Sequence, residues 1–245
     1  MLGEFELINK YFKFATSQRE DVSLGIGDDC ALLDVPCDQQ LAITADTLVS
    51  GVHFSKNTNP QSIGYKALAV NLSDLAAMGA TPAWATLCIT IPEINTTWLS
   101  EFMRGFSDLA SKFKVQLIGG DTTQGPLSIS IQLHGFVPKE KALKRDKASI
   151  GDSVFVSGTL GDAGLALLKN HKINFPDSSL LYLKDRLDRP TPRVELGVAL
   201  RSYDASAIDI SDGLYADLNH LCDKTEKGMT INLNQIPSFL LAIIS

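Results

Sequence analysis

The sequence predicts an α/β protein, with an N-terminal α/β sandwich followed by a second α+β domain that is incomplete. Three observations carry that prediction. Between residues 41 and 137, apolar runs and helical periodicities succeed one another as strand, helix, strand, helix, strand, strand, the signature of helices packed on a sheet. A basic run, Lys139 to Lys147, then interrupts the pattern, and strand and helix signals resume after it. With 245 residues, 44% of them hydrophobic, the chain is long enough for two modest cores. The expected division is 1–138 for the first domain, 139–148 for a linker and 149–245 for the second.

The elements follow in order. M-L-G-E-F-E-L-I-N-K-Y-F at the start reads as a short amphipathic helix. Leu24-Gly25-Ile26-Gly27-Asp28-Asp29 is a glycine-punctuated turn into a strand, Cys30 to Leu33. The next strand, Leu41 to Thr47, carries Thr44 and ends at Asp46, so two neighbouring strands are expected to bring Asp29 and Asp46 together. His53 follows on the loop Gly51-Val52-His53-Phe54. In Lys66 to Pro82, Leu68, Ala69, Leu72, Leu75 and Ala76 recur at helical spacing, with Gly79 and Pro82 as the stop. Asn71 and Asp74 share one face of that helix; taken alone, Asp74 reads as an exposed residue of its polar stripe.

A strand from Ala83 to Ile91 is followed by the cap region Asn95-Thr96-Thr97 and a helix whose Trp98, Leu99, Phe102, Met103, Phe106, Leu109 and Phe113 form one apolar stripe. Val115 to Ile118 is a short strand running into Gly119-Gly120-Asp121-Thr122-Thr123. Ser128 to Val137 alternates, with Ile129, Ile131 and Leu133 on one face and Ser130, Gln132 and His134 on the other. The polar-leaning face needs a cover, and a second copy of the chain is the expected one. Beyond the linker, Ile150 to Gly158 reads as a strand, Gly161-Asp162-Ala163-Gly164 as a helix start, and Arg189-Pro190-Thr191-Pro192-Arg193 as a break before another helix. Ala207 to Ser211 reads as a strand entering a helix at Asp212-Gly213. Pro237-Ser238 reads as a helix start with Phe239 to Ile244 as its buried face, and that unpartnered face makes the second domain look incomplete.

Composition bounds the chemistry. Twenty-two basic against 28 acidic residues give a net charge of −6, which speaks against nucleic acid or an anionic membrane surface as partner. Cys30, Cys37, Cys88 and Cys222 are scattered without metal-ligand spacing or a disulfide pattern, fitting a reducing cytoplasm. No apolar run reaches membrane-spanning length, and no secretory leader is evident.

Asp29, Asp46, Asp74, Asp121, Asp209 and Asp212 mostly stand at strand ends or beside glycines, where side chains from separate elements converge. Carboxylates gathered in one place repel unless divalent cations accompany them, and oxygen donors without histidine or cysteine select magnesium or calcium. Magnesium bound jointly by carboxylates and phosphates suggests a nucleotide enzyme. The Walker-type loop and the protein-kinase motifs are absent from the sequence. Glycines beside Asp121 suit close backbone approach to a phosphate, Arg145 suits forked phosphate recognition, and Ser211 sits where a helix begins.

G-I-G-D-D-C-A-L-L (25–33), T-A-D-T-L-V-S-G-V-H-F (44–54), K-A-L-A-V-N-L-S-D-L-A-A-M-G-A (66–80), G-G-D-T-T (119–123) and I-D-I-S-D-G-L (208–214) together resemble the bacterial thiamine-monophosphate kinases, in the right order over nearly the whole chain. That family belongs with aminoimidazole ribonucleotide synthetase and selenophosphate synthetase. The resemblance implies transfer of the terminal phosphate of ATP onto thiamine monophosphate with Mg2+, and a homodimer whose N-terminal sheets close into a barrel. Carried over motif by motif, it implies Asp29, Thr44, Asp46, Asp74, Asp121, Asp209 and Asp212 as metal ligands, with Asp46, Asp121 and Asp209 catalytic. Gly120, Asp121, Arg145 and Ser211 would contact ATP, and His53 thiamine monophosphate. Ala45 stands where the family often has threonine or serine. A sister ATP-dependent synthetase and a non-catalytic cation-binding protein are the alternative readings.

Overall fold

In a computed structural model, residues 4–13, 15–168 and 176–238 are described. The organising element is a helix, α2 (Pro60–Ala77), that begins six residues before Lys66. Asn59 accepts the Gln61 N–H at 2.8 Å, and Pro60, which has no N–H to leave unpaired, occupies the first turn. Its end is a left-handed glycine cap: Gly79 has φ +65°, and the Ala80 N–H reaches back to Leu75 O at 2.7 Å. Between those ends Ile63, Ala67, Leu68, Ala69, Leu72 and Leu75 are buried, because α2 is covered on several sides. A neighbouring helix, α3 (Thr96–Lys112), is capped by Asn95, which accepts the Trp98 N–H, and buries Leu99, Phe102, Phe106 and Leu109. Each buried aromatic or leucine there contributes roughly 1.5–3 kcal/mol.

The two helices meet backbone to backbone. A Cβ on Gly64 would lie 2.0 Å from Phe102 O, and one on Gly105 would lie 1.8 Å from Gln61 O. No residue larger than glycine fits either place without separating the helices.

Both helices lie on one face of a four-stranded sheet ordered β3-β6-β4-β5, comprising β3 (Gln39–Val49), β4 (Thr81–Ile91), β5 (Gln116–Gln124) and β6 (Ser128–Pro138). β6 runs antiparallel to both β3 and β4, while β5 runs parallel to β4. Leu87, Ile89, Ile91, Leu117, Ile129, Ile131 and Leu133 face the helices. Ser130 and Gln132 take the opposite face, as alternation predicts. One end of that second face is covered by a separate hairpin, β1 (Val22–Leu24) and β2 (Leu32–Leu33), with Val22 and Leu33 packed on Trp84, Ile118 and Phe136. Asp21 fixes this hairpin: its carboxylate accepts from the Trp84 indole N–H at 2.9 Å and pairs with Arg19 at 2.6 Å. The first helix, α1 (Glu4–Leu7), continues as a wider turn through Phe12, burying Leu7, Tyr11 and Phe12.

Four expectations need correction. The strand expected over 30–33 shrinks to Leu32–Leu33 and pairs with β1, so it does not carry Asp29 to Asp46; the strand beside β3 is β6. Asp46 lies within β3 and not at its end. The strand expected to stop at Ile118 continues to Gln124, because its ladder with β4 runs on through Gly119, Gly120 and Asp121. Among the described residues no strand forms over 150–158 or 207–211: both stretches are without a ladder partner, and an extended chain becomes a strand only when another pairs with it. An isolated bridge joins Leu160 to Ser238; the helix expected from Pro237-Ser238 through the apolar run Phe239 to Ile244 lies outside the described residues.

The later part of the chain supplies α4 (Asp162–Leu168), α5 (Asp177–Asp188), α6 (Val194–Leu200) and α7 (Leu214–Thr225). α5 and α6 pack on α2. Arg189 lies over the Tyr65 ring at 4.6 Å, and Arg201 donates to Gly79 O and, at 2.7 Å, to Thr81 Oγ1. Gly105→Val should therefore force α2 and α3 apart and destabilise the protein by about 1–3 kcal/mol, the usual cost of overpacking. Urea unfolding checks this; an unchanged midpoint would mean that the helices do not cross at these glycines.

Candidate active site

Thr44 and Asp46 are two residues apart on β3, so both project to the face that α2 covers. There the Thr44 hydroxyl donates a short hydrogen bond to the Asp74 carboxylate on α2. Asp74 is half-buried, not exposed as its helix position alone suggests. Burial raises its carboxyl pKa above the ordinary range; the Thr44 bond pulls it down, the Asp46 charge raises it, and the Arg145 guanidinium lowers it. Asp46 is raised by burial and then by the charge of Asp209, with His53 opposing. Asp209, arriving from the extended stretch before α7, is raised by burial and then by Asp74, with Asp217 adding and Arg145 opposing. The chain thus gathers Asp46, Asp74 and Asp209 from three distant stretches and sets Arg145 against two of them.

His53 closes one side. Its Nδ1 accepts the Val49 N–H at 2.9 Å, which leaves the ring proton on Nε2, and the Lys66 ammonium donates to the His53 carbonyl at 2.9 Å. Lys66 is partly buried, and burial lowers its pKa while the Asp188 carboxylate opposes that shift.

The other expected residues stand elsewhere. Opposite residues on paired strands share a face, so Thr47, Ser130, Cys88 and Asp121 form one row across the sheet, and Thr47 and Ser130 hydroxyls meet at 2.7 Å. Asp121 therefore lies on the face opposite to Asp46 and on the other edge strand, three strand spacings or roughly 14 Å away. Gly120 beside it has φ +148°, and a Cβ there would lie 1.9 Å from Leu87 O. Asp29 is exposed in the turn before β2, its N–H bonded to the Asp28 carboxylate. Ser211 and Asp212 are exposed on the loop that enters α7. Among the described residues, no three His, Cys, Asp or Glu side chains converge closely enough to hold a metal ion by themselves.

One participant escaped the sequence reading. Asp217, only 4% exposed, accepts the N–H groups of Ser211 and Gly213, each at 3.1 Å, and so fixes the Ile208 to Gly213 loop against the first turn of α7. The signal was available: an acidic residue in a first turn, four positions after a glycine N-cap, is placed to reach back to unpaired N–H groups.

Residues 27–137 match the family described as AIR synthase related protein, N-terminal domain. The thiamine-monophosphate kinase of Escherichia coli K12 is 52% identical over 237 residues, spanning 96% of this chain and 73% of that protein. The chain belongs to the thiamine-monophosphate kinase family. Among solved structures, the thiamine-monophosphate kinase from Stenotrophomonas maltophilia K279a superposes with a TM-score of 0.88 at 48% identity, covering 97% of this chain and 77% of that one. AaThiL complexed with AMPPCP and TMP gives a TM-score of 0.77 at 37% identity over 99% of this chain and 77% of that one.

The raised carboxyls predict a pH effect in this family member. With folded pKa values above the unfolded ones, the folded state holds more protons in the window between them, so stability falls as pH rises through that window and stays lower above it. Asp209→Asn removes a charge that burial first, and the Asp74 carboxylate second, disfavours. In EDTA its melting temperature should match that of the unsubstituted protein near pH 4 and exceed it at pH 7. A difference independent of pH, or of opposite sign, would contradict the charge crowding described here.

Proposed function

We propose that this chain is a phosphotransferase that moves the γ-phosphoryl group of ATP onto the phosphate of thiamine monophosphate, giving ADP and thiamine diphosphate. The observation that carries the reading is the mutual influence of Asp46, Asp74 and Asp209, with Arg145 acting on the last two, in a chain of this family. The AaThiL complex, which holds AMPPCP, an ATP analogue, together with TMP, supports both substrates.

Magnesium fits this site by its donor chemistry. The gathered groups are hard oxygen donors, and burial first, with their mutual charge after it, raises their pKa values. Magnesium retains waters and shares substrate phosphates, so it does not require a full sphere of protein donors. Thr44, Asp46, Asp74 and Asp209 would hold it, and the family resemblance adds Asp29, Asp121 and Asp212, of which Asp121 stands on the other face of the sheet within one copy of the chain. When bound, magnesium supplies neutralisation of the phosphate charge.

The residues themselves bind and orient. Arg145, with the backbone of Gly120 and Ser211, holds the nucleotide phosphates, and the His53 Nε2–H donates to the acceptor phosphate. The acceptor oxygen is already anionic, so no general base is required. It forms a bond to the γ-phosphorus as the bond from that phosphorus to the β,γ-bridging oxygen breaks, and the electron pair leaves on ADP. Positioning and charge stabilisation are the protein's contribution.

The proposal includes a homodimer and a cytoplasmic setting. Leu41 and Ile43 on the uncovered face of β3 are 39% and 55% exposed, apolar surface that a second sheet would bury. Closing two such sheets into a barrel lays the β5 edge of one copy, with Asp121, beside an edge of the other. The four cysteines are free thiols, and among the described residues no helix is long and apolar enough to cross a membrane.

Incubation with ATP, Mg2+ and thiamine monophosphate should yield ADP and thiamine diphosphate; failure to form thiamine diphosphate at any magnesium concentration would end the proposal. Asp46→Asn should lower kcat by about 10²–10³-fold with the fold retained by circular dichroism, the scale of removing one charge-stabilising group. His53→Ala should instead raise the KM for thiamine monophosphate about tenfold, the worth of one charge-assisted hydrogen bond. An unchanged KM would remove His53 from the acceptor site.

A further inference from the structure

We propose that Ser206 is a positioning residue that holds the Arg145 loop in register with the Asp209 segment. The inference rests on the assignment of Arg145 to the nucleotide phosphates and adds what keeps that guanidinium in place.

A serine hydroxyl has one proton to give and two lone pairs to receive. In Ser206 all three are used on the same short stretch of chain. Oγ donates to Lys144 O at 2.9 Å and accepts the Lys147 N–H at 3.0 Å and the Ala148 N–H at 2.9 Å. Residues 144–148 are therefore wrapped around one oxygen atom, with Arg145 and Asp146 forming the turn. Ser206 itself lies three residues before Asp209 in the extended stretch that enters the site.

The two segments are about sixty residues apart, and among the described residues no backbone-to-backbone hydrogen bond joins them. Another link is the ion pair between Lys147 and Asp204 at 3.2 Å, which is solvent-exposed and worth little. Lys227 supports the far end of the turn from α7, donating to Ala148 O at 2.8 Å. The hydroxyl is thus the main tie between a loop whose arginine acts on Asp74 and Asp209 and the segment that carries Asp209. A shared acceptor and donor of this kind fixes geometry, because one oxygen atom meets three backbone groups of the same turn that would otherwise each find water or another partner.

A plain loop staple would cost stability and nothing more; a positioning residue acts through Arg145. The test is ATP binding by titration calorimetry in magnesium buffer, with the unsubstituted protein, Ser206→Ala, Ser206→Cys, Ser206→Thr, Arg145→Ala and the Ser206→Ala/Arg145→Ala double variant. Ser206→Ala and Ser206→Cys should each bind ATP about tenfold more weakly, the scale of one or two net hydrogen bonds. Ser206→Thr, which keeps the hydroxyl, should restore binding to within about twofold. The double variant should bind no more weakly than Arg145→Ala, because the serine has nothing left to place. The inference is overturned if both Ser206→Ala and Ser206→Cys bind ATP like the unsubstituted protein, if threonine does not rescue, or if the double loss equals the product of the single losses. If Arg145→Ala itself binds ATP normally, the assignment of Arg145 falls and this inference falls with it.

Discussion

The hydrogen bond from Thr44 to Asp74 is the contact on which the site depends. It ties an edge strand to the central helix and holds an ionisable group where solvent only partly reaches it. Edge strands are otherwise held on one side alone, here by β6, so a bond from the free half of β3 into α2 also fixes which way its neighbours point. With Thr44 turned to the helix, the pleat obliges Asp46 to turn the same way. Asp209 then enters a place already holding two carboxylates, and each raises the cost of ionising the next. Such crowding is unfavourable for folding alone and becomes reasonable when cations and phosphates belong there.

The helices beyond the sheet serve the same junction. α5 ends on α2, with Asp188 facing Lys66 and Arg189 lying over Tyr65, while Lys66 reaches on to the His53 carbonyl. α6 anchors through Arg201 to the end of α2 and the start of β4. Residues far along the chain therefore brace the helix that carries Asp74, and the loop that carries His53 shares that brace. Asp217 and Ser206 do the corresponding work for the loop ahead of α7 and for the turn at Arg145, each satisfying backbone groups that no strand or helix pairs.

The sheet and its two covering helices were legible in the sequence because each is a strong local pattern: alternation in Ser128 to Val137, helical spacing from Leu68 to Ala76, an aromatic stripe from Trp98 to Phe106. α2 begins earlier than its apolar spacing suggests, although Asn59 and Pro60 marked the start, and α5 went unread although Leu180, Leu183 and Leu187 recur at helical spacing. The stretches 150–158 and 207–211 have strand composition but no partner, and pairing is a property that no local window contains. For the site, residue types pointed to the right carboxylates yet not to their sides of the sheet. Asp121 and Asp46 both follow apolar runs, and only the strand order and register reveal that the sheet stands between them. Ser206 was invisible for the same reason, since its partners lie about sixty positions away.

The central claim is that Asp46, Asp74 and Asp209 form one divalent-cation site that a nucleotide completes. Manganese, which shares magnesium's preference for oxygen ligands, reports this directly through its paramagnetic resonance. On addition of ATP the protein should immobilise Mn2+, and the Asp46→Asn/Asp74→Asn/Asp209→Asn variant, folded by circular dichroism, should leave the ion as free as ATP alone does. Equal immobilisation by the two proteins would contradict the account.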